Sequence, residues 1–237
     1  MKKEILDIIL TSRSNKQTLA VITRVADGMQ WAMLENDSEN HKVFSPLEID
    51  TIKKSMRDNK SGLISDEKFF AHIYTPPLRL IIIGAVHIAQ FLAPMAKVAG
   101  FDVTVVDPRS SFATPSRFPE INLSDEWPDD GILKLKPDTR TAVVTLTHDP
   151  KLDDPALVET LKTPAFYIAS LGGTRTHGKR LERLKSEGFD EKELLRINGP
   201  AGLDIGSVSP SEIAISILAE LTAALHGRLV KSKNVLA

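Results

Sequence analysis

The strongest constraint on the fold is a repeated alternation of short apolar runs with helix-like segments in the later two thirds of the chain. The apolar runs lie at 80–83, 103–106, 142–146 and 165–169. Helix-like segments follow them, at 87–99, from Asp154 onwards and at 175–187, and a last helix begins at the capping box Ser209-Pro210-Ser211-Glu212. Strands that alternate with helices form a parallel sheet with helices on both faces. The sequence therefore predicts an α/β fold with a Rossmann-like parallel sheet.

A boundary between two regions is predicted at Pro76-Pro77, because consecutive prolines favour extended chain and end regular structure. Earlier segments show helical spacing at 4–10, a hairpin formed by TLAVITRV and MQWAML, a charged helix over 46–57 and the strand EKFFAHIY. We predict a small α+β region over residues 1–74, which relies on the rest of the chain for stability. A Rossmann-like domain is predicted over residues 75–237.

The composition excludes several classes of function. The chain of 237 residues has 30 Lys+Arg and 31 Asp+Glu, so it has no field of one sign, and we predict no nucleic-acid partner. It has no cysteine, which excludes disulfides, thiolate zinc sites and a cysteine nucleophile. The most apolar run stops at His87, far short of the roughly 20 residues that cross a bilayer. We predict a cytoplasmic protein without a membrane segment.

The first strand of the second region leads into Gly84-Ala85-Val86-His87-Ile88-Ala89, the position of a Rossmann phosphate-binding turn. Such a turn binds phosphate because glycines let the backbone approach closely and the next helix presents free N–H groups. Val86 replaces the second glycine of the pattern, which leaves a plain strand–turn–helix as the alternative. Asp107 follows Gly84 by 23 positions, near the spacing of an acid that holds a ribose hydroxyl, and Arg109 suits a phosphate or carboxylate.

The later strands end in polar and glycine-rich segments that a parallel sheet brings to one edge. His148 follows the third strand of the region, and Gly172-Gly173 follows the fourth. We expect seven residues to converge there: His87, Asp107, Arg109, His148, Gly172, Gly173 and Arg175. The glycine-rich segment at 198–206 brings its backbone close either to a ligand or to its own sheet, and the sequence leaves both open.

Catalytic machinery is not evident in the sequence. There is no nucleophile elbow, Walker motif or nucleophile–base pair, so catalytic residues stay unassigned, and the histidines match no metal-ligand spacing, so no metal site is predicted. The helix at 175–187 is basic, and we expect its charges on a solvated face or, as the second choice, on a partner-docking surface. They are Arg175, His177, Lys179, Arg180, Arg183 and Lys185.

Taken in order, the motifs of the second region resemble the XdhC/CoxI family. The family comprises accessory proteins of molybdenum hydroxylases such as xanthine dehydrogenase and carbon monoxide dehydrogenase. The matching stretches run from residue 76 to about residue 224. They are PPLRLIIIGAVHIAQFLAPMAKVAGFDVTVVDPR, RFPE, VVTLTHDPKLDDPAL, YIASLGGTRTHGKRLERL and INGPAGLDIGSVSPSEIAISILAEL.

The resemblance implies a Rossmann-like domain that binds molybdenum cofactor (molybdopterin) as its cargo. It also implies that the protein assists sulfuration or protection of the cofactor and delivers it to an apo molybdenum hydroxylase. Molybdenum cofactor is a pterin with a dithiolene and a phosphate, and helix N-termini in a Rossmann crevice suit the phosphate. The predicted cofactor-binding residues are Gly84, Ala85, Val86, His87, Asp107, Arg109, His148, Gly172, Gly173, Arg175, Gly202 and Asp204.

This sequence departs from the family pattern at two places. The family turn G-A-G-H reads G-A-V-H at 84–87, and residues 1–74 lack the glycine-rich, cysteine-containing segment usual in the N-terminal half. We expect a shortened form, or one that acts with a separate protein of the same family. A cysteine desulfurase is a further candidate partner, and a homo-oligomer is expected. The alternatives are an NAD(P)-binding oxidoreductase on the same fold and a structural or regulatory subunit with an empty cleft.

Overall fold

A computed structural model describes residues 3–35 and 43–228. The chain divides into two compact units, Met1–Pro76 and Pro77–Ala237. The frayed end that the sequence predicts for residues 231–237 lies outside the described residues.

The first unit pairs a four-stranded antiparallel sheet with two helices. Its elements are α1 (Lys3–Ser14), β1 (Leu19–Arg24), β2 (Gln30–Leu34), α2 (Pro46–Arg57), β3 (Gly62–Ile64) and β4 (Phe69–Tyr74), and the strand order is β2-β1-β4-β3. The predicted hairpin is confirmed, because Val21 pairs with Ala32 in antiparallel register. Ser45 and Glu48 form a capping box that fixes the start of α2. The short strand β3 was not predicted.

The second unit is a six-stranded parallel sheet with helices on both faces. Its elements are β5 (Leu78–Ile83), α3 (His87–Val98), β6 (Phe101–Val106), β7 (Asn122–Ser124), α4 (Pro128–Leu135), β8 (Thr141–Thr145), α5 (Pro150–Leu161), β9 (Tyr167–Ser170), α6 (Thr174–Ser186), α7 (Glu191–Leu194), β10 (Ile197–Asn198) and α8 (Pro210–Leu225). The strand order is β10-β9-β8-β5-β6-β7. Counted within this unit it is the Rossmann order 3-2-1-4-5-6. The predicted Rossmann-like fold is confirmed.

The continuous apolar run of β5 is explained by burial on both faces of the sheet. Leu80 and Ile82 pack into a core that also takes side chains of α3 and α8. Ile81 and Ile83 pack into a second core, on the other face, with side chains of α4, α5 and α6. Alternate residues of one strand therefore anchor the two helical layers.

Two sequence predictions of this unit need correction. The helix predicted to open at Asp154-Pro155 begins one turn earlier, at Pro150, where the Asp149 side chain accepts a hydrogen bond from the Lys151 N–H. Both dipeptides carry the same capping signal, and the earlier one is used. The polar, proline-containing segment between β6 and β8, which the sequence predicts to be a loop, contains β7 and α4. The elements α7 and β10 were also not predicted.

Candidate functional site

The strand order places a crevice where β5 and β8 lie side by side. From these neighbouring strands the chain turns to opposite faces of the sheet, into α3 after β5 and into α5 after β8. In open α/β sheets, ligands bind outside the carboxyl ends of the strands at this reversal. The loops at 84–86 and 146–149 form its walls.

Gly84 makes the turn after β5 possible. Its φ is +107°, and a Cβ at this position would lie 2.6 Å from Cγ2 of Thr147 and 3.3 Å from its amide nitrogen. The close approach that requires glycine is thus between two loops of the chain itself. Any other residue here would force the two walls of the crevice apart.

Val86 occupies the N-cap of α3 with extended backbone, at φ −88° and ψ 177°, a conformation that needs no glycine. Its half-buried side chain packs against the core beside α3. No side chain caps this helix, and His87, its first residue, is exposed. The start of α3 therefore keeps the free N–H groups of a helix N-terminus despite the missing second glycine.

Asp107 lies completely buried at the end of β6 and ties that strand to the Gly84 turn. Its Oδ2 accepts hydrogen bonds from the Ala85 N–H at 2.7 Å and from Nη2 of Arg109 at 2.7 Å. Its Oδ1 accepts from the backbone N–H and Nε of Arg109, at 3.0 Å and 2.8 Å. The guanidinium of Arg109 also lies 4.5 Å from the ring centre of Phe112. The pair holds the turn in place.

These contacts determine both the ionisation state of Asp107 and its capacity to bind a ligand. Burial by itself raises the pKa of Asp107, but the hydrogen bonds from Arg109 and from the Ala85 N–H outweigh it and hold the pKa below its ordinary value. An ionised carboxylate has about four lone-pair sites, and here the chain's own donors use four. In this arrangement Asp107 is a support of the turn, with no site left for a ribose hydroxyl.

Two other residues of the predicted cofactor-binding set lie together at a cleft between α5 and α6. His148, with φ +63°, and Arg175 are both exposed and line a space of about 230 Å³. Gly172 turns the chain at φ +137°, and Gly173 is the N-cap of α6. No side chain caps α6. The cleft therefore has a second open helix N-terminus beside it.

Gly202 and Asp204 do not line this cleft. A Cβ on Gly202 would lie 2.3 Å from Oγ of Ser216 in α8, and the Gly202 N–H donates to Oε2 of Glu220 at 2.9 Å. Tyr167 donates to the same oxygen at 2.6 Å. Asp204 is exposed on the following loop. The sequence left open whether this segment lies close to a ligand or to its own sheet. The glycine at 202 is explained by a contact within the protein, and that contact is with helix α8 and not with the sheet.

The expectation of a solvated basic helix is wrong for one face of α6. His177 and Arg180 are 3% and 2% exposed. Arg180 lines the cleft together with Asp153 of α5, a carboxylate that is 1% exposed. Neither Arg180 nor Asp153 is among the site residues predicted from the sequence. One signal was present: residues 177, 180, 181 and 184 share a helix face, and two of them are leucines.

Two kinds of feature are absent from residues 3–35 and 43–228. No group of three or more His, Cys, Asp or Glu side chains in these ranges lies together as a metal site would require. No helix in the same ranges is long and apolar enough to cross a membrane.

The strand order and helix layers define a Rossmann-type domain, and no side chain caps the N-termini of α3 and α6 at the carboxyl edge of its sheet. Residues 80–221 match the family described as the XdhC Rossmann domain, and the chain belongs to this family. The resemblance inferred from the motifs is thereby confirmed.

Two curated relatives are similar to this chain over more than half of its length. The chain is 30% identical over 152 residues to the molybdenum cofactor insertion chaperone PaoD of Escherichia coli, which covers 63% of this chain and 41% of PaoD. It is 31% identical over 147 residues to a probable xanthine dehydrogenase subunit of Bacillus subtilis, which covers 62% of this chain and 42% of that protein. The chain thus spans about two fifths of the length of each.

A solved structure confirms the fold. The crystal structure of a xanthine dehydrogenase from Bacillus halodurans superposes with a TM-score of 0.69 at 24% identity. The match covers 97% of this chain and 66% of that one. At this identity the similarity speaks for the fold alone.

Proposed function

We propose that this protein binds molybdenum cofactor and assists its insertion into a molybdenum hydroxylase of the xanthine dehydrogenase type. The observation that carries the proposal is the 30% identity to a molybdenum cofactor insertion chaperone over 152 residues, alongside the match of residues 80–221 to the XdhC Rossmann domain. The similarity to a probable component of xanthine dehydrogenase supports the class of client enzyme.

The crevice suits this cargo in its chemistry. The cofactor is a pterin with a dithiolene and a phosphate, and a phosphate is stabilised by open helix N-termini and by arginine. The N-termini of α3 and α6 have no side-chain cap. His87, His148 and Arg175 are exposed at this edge and free to contact a pterin or a phosphate. Binding and release need no nucleophile.

Within this function, we assign binding to the turn at 84–87 and to His148, Gly172, Gly173 and Arg175, with Asp107 and Arg109 as supports. Sulfuration or protection of the cofactor, with a cysteine desulfurase as partner, is the finer proposal. A second protein of the same family would then supply what residues 1–74 lack. The cytoplasmic location and a homo-oligomeric state stay predictions.

The nicotinamide alternative receives no support. The relatives named above point to molybdenum enzymes. In addition, Asp107, which would bind the ribose of a dinucleotide, is engaged by Ala85 and Arg109. We do not retain an oxidoreductase as a second candidate.

The proposal is tested by reconstitution. An apo molybdenum hydroxylase is incubated with isolated cofactor, with and without the purified full chain, and the recovered enzyme activity is measured. We expect a higher yield of active enzyme when the chain is present. Equal yields with a folded protein would contradict the proposal.

A matched pair of variants assigns the site. His148→Ala removes an exposed imidazole at the crevice, and His226→Ala removes an exposed imidazole just after α8. We expect weaker cofactor binding for the first and unchanged binding for the second. If both variants bind the cofactor as tightly as the parent, the crevice is not the binding site.

A further inference from the structure

Arg180 is a buried cation with an incomplete set of partners. Its side chain is 3% exposed, and Nη2 donates to the carbonyl oxygen of Leu171 at 2.8 Å. Nε and Nη1 have no hydrogen-bond partner within residues 3–35 and 43–228. An arginine has five N–H donors, and buried donors without acceptors are costly. The guanidinium is therefore prepared for an acceptor that the described part of the chain does not supply.

The nearest carboxylate does not fill this role. Oδ2 of Asp153 lies 4.0 Å from Nη2 of Arg180, beyond hydrogen-bond distance, and accepts no hydrogen bond from any residue that the structure describes. Oδ1 of Asp153 is engaged by the hydroxyl of Thr147 at 2.7 Å. Burial raises the pKa of Asp153 and lowers that of Arg180. A better counter-charge close to Arg180 would relieve the cost of burying it.

The side chains around Arg180 give the cleft a positive balance. Four basic residues line it, against two carboxylates, one of which, Asp154, is paired with Arg183 through Nη2 at 3.0 Å. The full lining is His148, Pro150, Asp153, Asp154, Arg175, Thr176, Lys179, Arg180 and Arg183. Lys179 and Arg175 are exposed at its mouth. The uncapped first turn of α6 contributes free backbone N–H groups.

We propose that this cleft between α5 and α6 is an oxyanion subsite that takes a phosphate group, with Arg180 at its base and Arg175 and Lys179 at its mouth. The inference rests on the proposed function in one respect: the phosphate is that of the cofactor. The volume of the cleft, about 230 Å³, lies below the roughly 300–1,000 Å³ of pockets for drug-sized ligands. The cleft thus holds the phosphate end, and the pterin lies outside it, toward the crevice between β5 and β8.

The test compares one pterin with and without its phosphate. The probe is the fluorescent pterin phosphate obtained by oxidising molybdenum cofactor, and its counterpart is the same compound after phosphatase treatment. Fluorescence anisotropy gives the affinity of the full chain for each. We expect tighter binding of the phosphorylated probe by about tenfold or more, the effect of one charge-assisted contact.

Two double variants with the same change in charge locate the effect. Arg175→Ala with Lys179→Ala removes the two exposed cations at the cleft. Lys185→Ala with Lys192→Ala removes two exposed cations that do not line it. We expect the first pair of changes to abolish the preference for the phosphorylated probe, and the second pair to leave it intact. A preference that survives the first pair overturns the subsite.

Arg180→Met tests the role of the buried guanidinium in binding the phosphate. If Arg180→Met does not fold, the double variant Arg175→Ala with Lys179→Ala still decides whether the subsite exists. Inorganic pyrophosphate and a nucleoside diphosphate serve as competitors that separate the sources of phosphate. Weak competition by both supports a subsite for the cofactor, whereas a nucleoside diphosphate that binds as tightly as the pterin phosphate overturns that assignment.

Failure of the subsite and failure of the proposed function are distinguishable. If both pterin forms bind equally to every variant, cofactor binding stands and the subsite fails. If inorganic pyrophosphate binds in a manner that depends on Arg175 and Lys179 but neither pterin binds, the anion cleft stands and its assignment to this cargo fails together with the proposed function.

Discussion

Asp107 and Arg109 form a two-point ion pair under the Gly84 turn, with Oδ1 to Nε at 2.8 Å and Oδ2 to Nη2 at 2.7 Å. Asp107 is fully buried, while the Arg109 side chain is 38% exposed. The pair joins the end of β6 to the start of the crevice through the Ala85 N–H. Its consequences for stability can be measured.

Arg109→Ala is expected to lower the free energy of unfolding by about 1–3 kcal/mol, because it leaves a buried carboxylate with fewer donors. Partial exposure of Arg109 keeps the cost below that of breaking a fully buried pair. Arg175→Ala is the matched control, since Arg175 is exposed. Chemical denaturation gives both values. A loss for Arg109→Ala no larger than that of the control would show that the pair does not hold the turn.

Acid should weaken the fold through Asp107. Its pKa is held below the ordinary value in the folded protein, so the unfolded chain binds a proton first as the pH falls. The stabilisation is present above about pH 4 and is lost below it. Asp107→Asn removes this titration, and the free energy of unfolding of that variant should depend less on pH in this range. An identical acid-side slope in the two proteins would contradict the assignment.

His177 predicts a loss of stability in a different pH window. Burial, with a smaller effect from the nearby Arg180 charge, lowers the pKa of His177 to about 4. Since an unfolded histidine titrates near 6.5, the unfolded chain takes up the proton first, and stability falls as the pH drops from about 6.5 to about 4. The full shift corresponds to a loss on the order of 3 kcal/mol.

His177→Gln tests that window, because glutamine keeps a polar side chain of similar length and does not titrate. Between pH 6.5 and 4, we expect the free energy of unfolding of His177→Gln to change less with pH than that of the parent, whatever the absolute stability of the variant. His226→Gln, at an exposed position, is the matched control variant. If stability falls as steeply with decreasing pH in His177→Gln as in the parent, His177 is not the group responsible.

Gly202 and Gly206 form a matched pair in one loop. Both have positive φ, +97° and +75°, so an alanine is strained at either position. A Cβ at Gly202 would also lie 3.1 Å from the Ile217 backbone nitrogen, whereas a Cβ at Gly206 meets nothing within 4 Å. Gly202→Ala should therefore destabilise the protein by about 1–3 kcal/mol more than Gly206→Ala in thermal or chemical unfolding. Equal losses would mean that the contact with α8 relaxes freely.

The sequence was informative where a local pattern and burial agree. The apolar run of β5 and the capping box at Ser209 were both assigned correctly, because a strand buried on two faces is apolar throughout and a capping box is a purely local signal. By contrast, β7 has only three residues, and no side chain caps α4 at Trp127. Such short or uncapped elements depend on tertiary contacts that no local pattern records.

The candidate site was harder to predict than the fold. The turn at Gly84 and the position of Asp107 follow from spacing along a Rossmann unit, so they could be located in advance. Asp107 accepts hydrogen bonds from Arg109 and from the Ala85 N–H. These bonds depend on side-chain geometry, so spacing along the chain could not predict them. Arg180 is one of six basic or imidazole side chains in one helix. Their charges alone do not show which of them face the core, so the burial of Arg180 was not predicted.

The most direct test of the central claim is co-purification. The full chain is produced in a host that makes molybdenum cofactor and purified gently. Bound molybdenum is then measured, and pterin is detected by its fluorescence after oxidation. Near-stoichiometric pterin is the predicted result. A folded protein that carries no pterin, and takes none up when isolated cofactor is added, would contradict the claim that this Rossmann domain binds the cofactor.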